Sequence, residues 1–322
     1  MLHFIFSAVI IGIFLALATF EAVWFYKAVK CGFRKSGHTC TLLSPKKCIV
    51  HALAIFGFGC VLYAYYIEPY RLEVTAVDIA TNKLKHSSLK IVQISDLHCS
   101  RTMRNEAKLV SMINAIKPDI IVYLGDSLNS MAALPRLRET LTNIHAPLGK
   151  FAVRGNLDMV YAPQLDRFSG TGFAVLDADT VRLTKDDEFL YITGLSFGLM
   201  SSWPKTVHKI PSDGYSIFLF HVPDLVDDFE KDNVDLYLAG HTHGGQIALP
   251  LLGGIHTYRT MYGKNYEAGS YQVGKTHLYV TRGIGLAKKL PPLRFYCRPE
   301  ITVLNIHPES ANHPMKESQP TP

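Results

Sequence analysis

Two histidines one residue apart sit among glycines in the stretch LYLAGHTHGGQI, residues 236–247, directly after an apolar run. Histidines at i and i+2 of an extended segment project to the same side, and Gly240, Gly244 and Gly245 let backbone approach whatever the rings hold. Imidazole is the commonest metal ligand. Alone, the pattern is equally a glycine-rich turn carrying incidental histidines. The residues after four other apolar runs decide between the two. Asp96 and His98 follow LKIVQIS (89–95), Asp126 follows DIIVYLG (119–125), Asn156 follows KFAVRG (150–155), and His221 follows YSIFLF (215–220). With His241 and His243 after VDLYLAG (234–240), seven oxygen or imidazole donors come from five distant places. Singly, a residue such as His221 is more often a cap or packing group; jointly they describe a metal site. Seven donors exceed what one tetrahedral ion needs, so two ions are expected. Carboxylate, amide and imidazole together suit Mn²⁺, Fe²⁺ or Zn²⁺ better than a thiolate site would. A carboxylate can bridge two ions about 3.5–4 Å apart, which together activate water and neutralise a phosphoryl group.

Such convergence needs strands whose ends share one edge. After Pro69, short apolar runs alternate with amphipathic patterns, NEAKLVSMINAI (105–116) and ALPRLRETLTNI (133–144), an α/β signature in which strand ends of a parallel sheet face one crevice. Further strands are expected in FAVLDADTVRL (173–183), EFLYITGL (188–195), THLYVTRG (276–283) and EITVLNI (300–306), with less helix between them and hence a second or mixed sheet. The polar, proline-rich tail from Pro308, residues 308–322, is expected to be disordered.

With 322 residues, 48% hydrophobic, the chain can bury a sizeable core. Of the net charge of +6, residues 1–70 supply +4, so the remainder carries only +2 and shows no basic tract for a nucleic-acid backbone. Those first 70 residues are expected to form a membrane anchor with apolar segments 4–26 and 48–67. The first is expected to span; no Lys or Arg precedes it and no small-x-small site follows, which argues against a cleaved signal. The second either spans or lies in the interface, its Tyr63, Tyr65 and Tyr66 suiting an aromatic belt. The intervening loop holds Lys27, Lys30, Arg34, Lys35, Lys46 and Lys47, which the positive-inside rule assigns to the cytoplasm. Two spans then put the large domain outside, and one span with an interfacial second segment keeps it in the cytoplasm. The six cysteines (31, 40, 48, 60, 99, 297) form no CxxC pair and are expected to pack, not to bridge or bind zinc.

The motifs DLH (96–98), GD (125–126), GN (155–156), His221 and GHTH (240–243), in this order over residues 89 to about 306, resemble the calcineurin-like metallophosphoesterase superfamily. The resemblance implies an α/β fold of two mixed sheets packed face to face with flanking helices, here over residues 71–307 behind the N-terminal transmembrane helix or helices. It implies that Asp96, His98 and His243 hold one ion, that Asn156, His221 and His241 hold the other, and that Asp126 bridges. Asp126, Asn156 and Asp158 are the catalytic candidates it marks, with manganese the expected metal.

One departure informs the substrate. Most members carry histidine after the motif's asparagine, where this chain has Leu157, followed by Asp158. A protonated acid matters most for a poor alkoxide leaving group, whereas a departing phosphate leaves without a proton. Leu157 therefore favours diphosphate cleavage, and a degraded, inactive site is the alternative. With the membrane anchor, the resemblance points to the membrane-anchored UDP-2,3-diacylglucosamine pyrophosphatases of lipid A biosynthesis, which release UMP and 2,3-diacylglucosamine 1-phosphate at the bacterial inner membrane. A broad phosphodiesterase of the exported bacterial branch is the second reading. The lipid-linked nucleotide favours the cytoplasmic face, the basic loop the outer one. Arg282, Lys288, Lys289 and Arg294 are candidates to meet the diphosphate or anionic headgroups, though a solvated basic turn explains the lysines and Arg294 as well. Leu249, Leu251, Leu252 and Met261 are candidates for acyl chains or, equally, for core packing.

Overall fold

A computed structural model of the chain describes residues 2–32, 45–229, 232–255, 260, 265–287 and 292–309. It divides into two compact units, Met1–Ile67 and Glu68–Pro322.

The first unit holds helices α1 (Leu2–Gly32) and α2 (Pro45–Tyr66). Glu21 and His51 meet at 2.6 Å, and the Trp24 ring lies edge-on to His51 with centroids 4.5 Å apart. Glu21 and His51 thus pair with each other across the two helices. Among the described residues one helical segment, Lys47–Tyr70, is long and apolar enough to cross a membrane.

In chain order the second unit contains β1 (Glu73–Thr81), β2 (Leu89–Ile94), α3 (Glu106–Ile116), β3 (Ile120–Tyr123), α4 (Leu134–Thr142), β4 (Gly149–Ala152), α5 (Asn156–Tyr161), β5 (Phe173–Val175), β6 (Asp179–Lys185) and β7 (Glu188–Leu195). It continues with α6 (Trp203–Val207), β8 (Tyr215–Phe220), β9 (Leu236–Ala239), β10 (Ala248–Leu249), β11 (Gly253–Gly254), β12 (Gly269–Val273), β13 (Thr276–Val280) and β14 (Glu300–Pro308). One six-stranded sheet has the order β1-β14-β2-β3-β4-β5 and the other β12-β13-β9-β8-β7-β6; β10 and β11 form a separate hairpin. Both large sheets are mixed: β2, β3, β4 and β5 are parallel while β14 runs against β2, and β7, β8, β9 and β13 are parallel while β6 and β12 run against their neighbours.

The central strands are uninterrupted apolar runs because both of their faces are covered. Ile120 and Val122 join Ile192, Ile217 and Leu238 in the core between the sheets. Their neighbours Ile121 and Tyr123 point the other way, onto Leu109 and Ile113 of α3 and Leu137 and Leu141 of α4. Leu109 and Ile113, four residues apart, form the buried stripe of α3, which ends with Lys117 in the left-handed conformation (φ 52°) before Pro118.

Two strands depart from expectation. FAVLDADTVRL is not one strand: β5 pairs with β4 in the first sheet and β6 with β7 in the second, the chain crossing between sheets at Ala178 (φ 65°). Glu73–Thr81, not anticipated, forms an edge strand parallel to β14; its alternation of exposed and half-buried residues lacks the apolar run that marks the inner strands. At the C-terminal end, β14 continues through Pro308, and Glu309 N–H donates to Thr81 O (2.9 Å), so the disordered stretch expected from residue 308 does not begin there; residues 310–322 lie outside the described residues.

Candidate metal centre

The C-terminal ends of β2, β3 and β4 in one sheet and of β8 and β9 in the other lie together, so two sheets, not the edge of one parallel sheet, supply the seven donors. The connecting loops are knitted by backbone hydrogen bonds, Asp96 N–H to Gly125 O (2.9 Å), His98 N–H to Asp126 O (3.0 Å) and Gly240 N–H to His221 O (2.9 Å). His241 N–H donates to Asp96 Oδ2 (3.1 Å), tying one sheet's loop to the other's. A Cβ on Gly155 would lie 2.2 Å from Asp126 Oδ1, and one on Gly240 2.2 Å from Ser95 Oγ, so these glycines permit the approach. Asp96, His98, Asp126, His241 and His243 all adopt positive φ, between 43° and 68°. This conformation is sparsely populated by non-glycine residues and concentrates at sites where side chains must converge.

Among the described residues, two groups could each hold a cation: Asp96, His98 and His243, and Asp126, His221 and His241, all buried. In the first, His243 Nε2 lies 3.3 Å from Asp96 Oδ1 and 3.1 Å from His98 Nε2. In the second, His221 Nε2 lies 3.5 Å from Asp126 Oδ2 and 3.2 Å from His241 Nδ1, whose other neighbour is Asn156 Oδ1 (3.0 Å). The groups adjoin through both carboxylates: Asp126 Oδ2 is 3.9 Å from His98 Nε2, and Asp96 Oδ1 is 3.9 Å from His221 Nε2. This arrangement matches a dimetal phosphoesterase centre.

The donor atoms themselves call for cations. Asp96 Oδ1 is buried without a hydrogen-bond partner, while Oδ2 accepts from Ser95 Oγ (2.6 Å). His98 Nδ1 donates to Asn129 Oδ1 (3.1 Å), whose amide is oriented by donating to Leu286 O (2.9 Å), and His221 Nδ1 donates to Leu124 O (2.5 Å). Both rings therefore direct Nε2 inward, because a hydrogen bond at Nδ1 fixes the tautomer and the ring orientation. Ser95 and Asn129 escaped the sequence reading because they bind ligands, not ions; their only signal is proximity to DLH and GD.

Charge explains the protonation pattern. Burial, reinforced by His243, holds the His98 imidazole down to about 4. For His221 burial acts in the same direction, but Asp126 and Asp96 outweigh it and raise the ring to about 9. Burial would raise both carboxyls, yet the surrounding imidazoles hold Asp96 well below, and Asp126 below, the usual carboxylate range. Metal-free protein at pH 7 thus keeps a proton on His221 that a cation must displace. Cation affinity should rise with pH by about tenfold per unit until pH 9 is reached. Titration calorimetry of metal-free protein at pH 7 in buffers of different ionisation enthalpy should show proton release; a buffer-independent heat would contradict this.

Other candidates behave differently from expectation. Asp158 is buried and accepts from the backbone N–H groups of Asp126 (2.9 Å), Ser127 (3.0 Å) and Gly155 (3.1 Å), with Arg167 Nε at 2.9 Å. It is therefore a positioning residue, not a catalytic one, and Arg167 was missed for lack of any motif. Leu157 follows Asn156, the first residue of α5, and donates its N–H to Asp126 Oδ1 (2.9 Å). Arg282 pairs with Glu73 (2.5 Å) and Glu300 (3.3 Å) and lies against Gly244, so it braces the GHTHGG loop. Arg294 is wholly enclosed, donating to Gly285 O (2.7 Å) and Arg282 O (2.9 Å); as a headgroup contact it is ruled out because no part of it reaches solvent. Leu251 and Leu252 are exposed, which removes core packing as their explanation. Lys288, Lys289 and Met261 lie outside the described residues.

Residues 89–245 match the calcineurin-like phosphoesterase family. The chain is 36% identical over 271 residues to the uncharacterized metallophosphoesterase YkuE of Bacillus subtilis, covering 78% of this chain and 90% of that protein. It is 32% identical over 272 residues to the phosphodiesterase YaeI of Escherichia coli, covering 78% and 93%. Over 307 residues it is 25% identical to the UDP-2,3-diacylglucosamine pyrophosphatase LpxG of Chlamydia muridarum, covering 76% and 92%.

Proposed function

Given that the chain belongs to the calcineurin-like metallophosphoesterases, we propose that it is a membrane-anchored hydrolase that splits the diphosphate of UDP-2,3-diacylglucosamine into UMP and 2,3-diacylglucosamine 1-phosphate. The observation that carries the reading is the pair of buried Asp/His groups adjoining through Asp126 and Asp96, with a leucine beside Asn156 where an acid would serve an alkoxide leaving group. Asp96, His98 and His243 would hold one divalent ion and Asn156, His221 and His241 the other, with the Asp126 carboxylate shared between them. Manganese is the proposed metal, with Fe²⁺ or Zn²⁺ as alternatives. Ions held there would activate water near neutral pH and offset phosphoryl charge. The chain's own part is orientation: Asn129 and Leu124 O fix the tautomers of His98 and His221, and Asp158 holds the Asp126 and Asn156 loops in register. No proton donor is required at Leu157, because the departing sugar phosphate leaves as an anion.

UMP release from UDP-2,3-diacylglucosamine by the detergent-solubilised chain with Mn²⁺, beside metal-stripped protein, tests the reading; two bound ions without UMP would refute it. The 32% identity to a phosphodiesterase favours a second reading, hydrolysis of phosphodiesters by a catalytic unit outside the membrane. Protease protection in sealed vesicles separates them, since a nucleotide-linked lipid places the unit at the cytoplasmic face of the bacterial inner membrane. Leu157→His should restore a general acid and raise turnover of an alkyl phosphomonoester such as β-glycerophosphate on the order of 10²-fold. Unchanged monoester turnover by a folded, metal-loaded variant would count against the leaving-group argument.

A further inference from the structure

The catalytic unit begins where the apolar span ends. Span Lys47–Tyr70 runs into Glu68, the unit's first residue. Glu68 is buried and accepts from Cys297 N–H (2.6 Å); Pro69 O accepts from Asn105 Nδ2 (2.8 Å). Cys297 Sγ in turn donates to His243 O (3.1 Å). The point at which the chain leaves the span is therefore two hydrogen bonds from a residue of the metal centre.

Around that point the unit exposes large apolar side chains: Tyr70, Met103, Leu251, Leu252 and Tyr296. They belong to connected segments. Met103 lies two residues before Asn105, and Tyr296 adjoins Cys297. Ala248 N–H donates to Phe295 O (2.8 Å), joining the β10–β11 hairpin that carries Leu251 and Leu252 to the same strip. Leu251 is 88% exposed, and both Leu251 (φ 67°) and Tyr296 (φ 52°) occupy the left-handed region. Exposed apolar side chains on strained backbone contribute nothing to the core and persist where an outside surface receives them. Arg71 and Arg101, both exposed, flank them. At the other end of the parallel strands, the β6–β7 turn shows Asp186 and Asp187 instead.

From this juxtaposition we infer that the strip of Tyr70, Met103, Leu251, Leu252 and Tyr296 is a bilayer-docking surface that seats in a leaflet containing anionic lipid and holds the metal centre at headgroup level. The occupant is the bilayer because covalent continuity with the span keeps this end of the unit there, and because apolar side chains rimmed by arginine match acyl chains beneath anionic headgroups. A phosphoryl compound embedded in the leaflet then reaches the ions without leaving the bilayer. The inference rests on the metal centre being the reaction site and on the span crossing a membrane, not on which phosphoryl compound is cleaved.

Photocrosslinking tests it without turnover. The full chain, carrying benzoylphenylalanine at Leu251, Tyr296 or Asp187, is reconstituted into phosphatidylcholine vesicles with phosphatidylglycerol and irradiated. Lipid adducts at positions 251 and 296, and almost none at 187, are expected; equal yields at all three overturn the docking surface. In a second measurement, the Leu251→Asp, Leu252→Asp double variant should raise KM about tenfold for a phosphodiester embedded in the vesicles while leaving kcat/KM for soluble bis-p-nitrophenyl phosphate unchanged. Equal loss on both substrates, or loss on neither, overturns it. Failure of UMP release with lipid adducts present would refute the proposed substrate and leave the surface standing.

Discussion

Asp126→Ala should lower metal-dependent hydrolysis by on the order of 10³-fold or more, the equivalent of roughly 4 kcal/mol of transition-state stabilisation. Asp126 Oδ2 lies between the two groups, 3.5 Å from His221 and 3.9 Å from His98, so its removal weakens both at once. It also removes one of the two carboxylates that hold the His221 ring up near 9, leaving burial to depress it. The variant should therefore bind at most one ion tightly and release less proton on binding. Metal analysis after gel filtration, together with turnover, checks both parts; two ions and undiminished hydrolysis would remove the basis for the dimetal mechanism.

Asp158→Ala should be the most destabilising single change near the centre, at about 3–5 kcal/mol, because it strands a buried charge. Arg167 is 3% exposed and would lose the Asp158 carboxylate 2.9 Å from its Nε, while the N–H groups of Asp126, Ser127 and Gly155 would lose their acceptor. For a unit of this size, Tm should fall by roughly 10 °C. Replacing both partners, Asp158→Leu with Arg167→Met, should recover part of that loss, since an apolar pair strands no charge. Calorimetry of the metal-free proteins decides; a fall in Tm no larger than that of a surface substitution would show that the pair does not hold the loops.

Strand ends were the legible part of this protein. A buried central strand must be a continuous apolar run, and the first polar residue after it marks where the chain reaches an edge. That is why Asp96, Asp126, His221 and His241, each near the end of such a run, could be read together as one site. Residues that act through others left no such trace. Arg167, Asn129 and Glu68 occupy ordinary polar positions in the sequence, and only the folded loops bring them to Asp158, His98 and Cys297. The same holds for the arginines: Arg294 has the composition of a surface cation, but the fold encloses it among carbonyls.

The sequence by itself determined the donor types, their order and the leucine beside Asn156, because ligand chemistry and leaving-group chemistry depend on which atoms are present. Only the tertiary structure decided that two sheets share one centre, that Asp96 as well as Asp126 faces both groups, and that Glu68 accepts from Cys297 N–H while the Cys297 thiol donates to His243 O. Those facts depend on contacts between separate segments of the chain, such as Asp96 with His241, 145 residues away, which the packing of the two sheets sets and no local periodicity encodes.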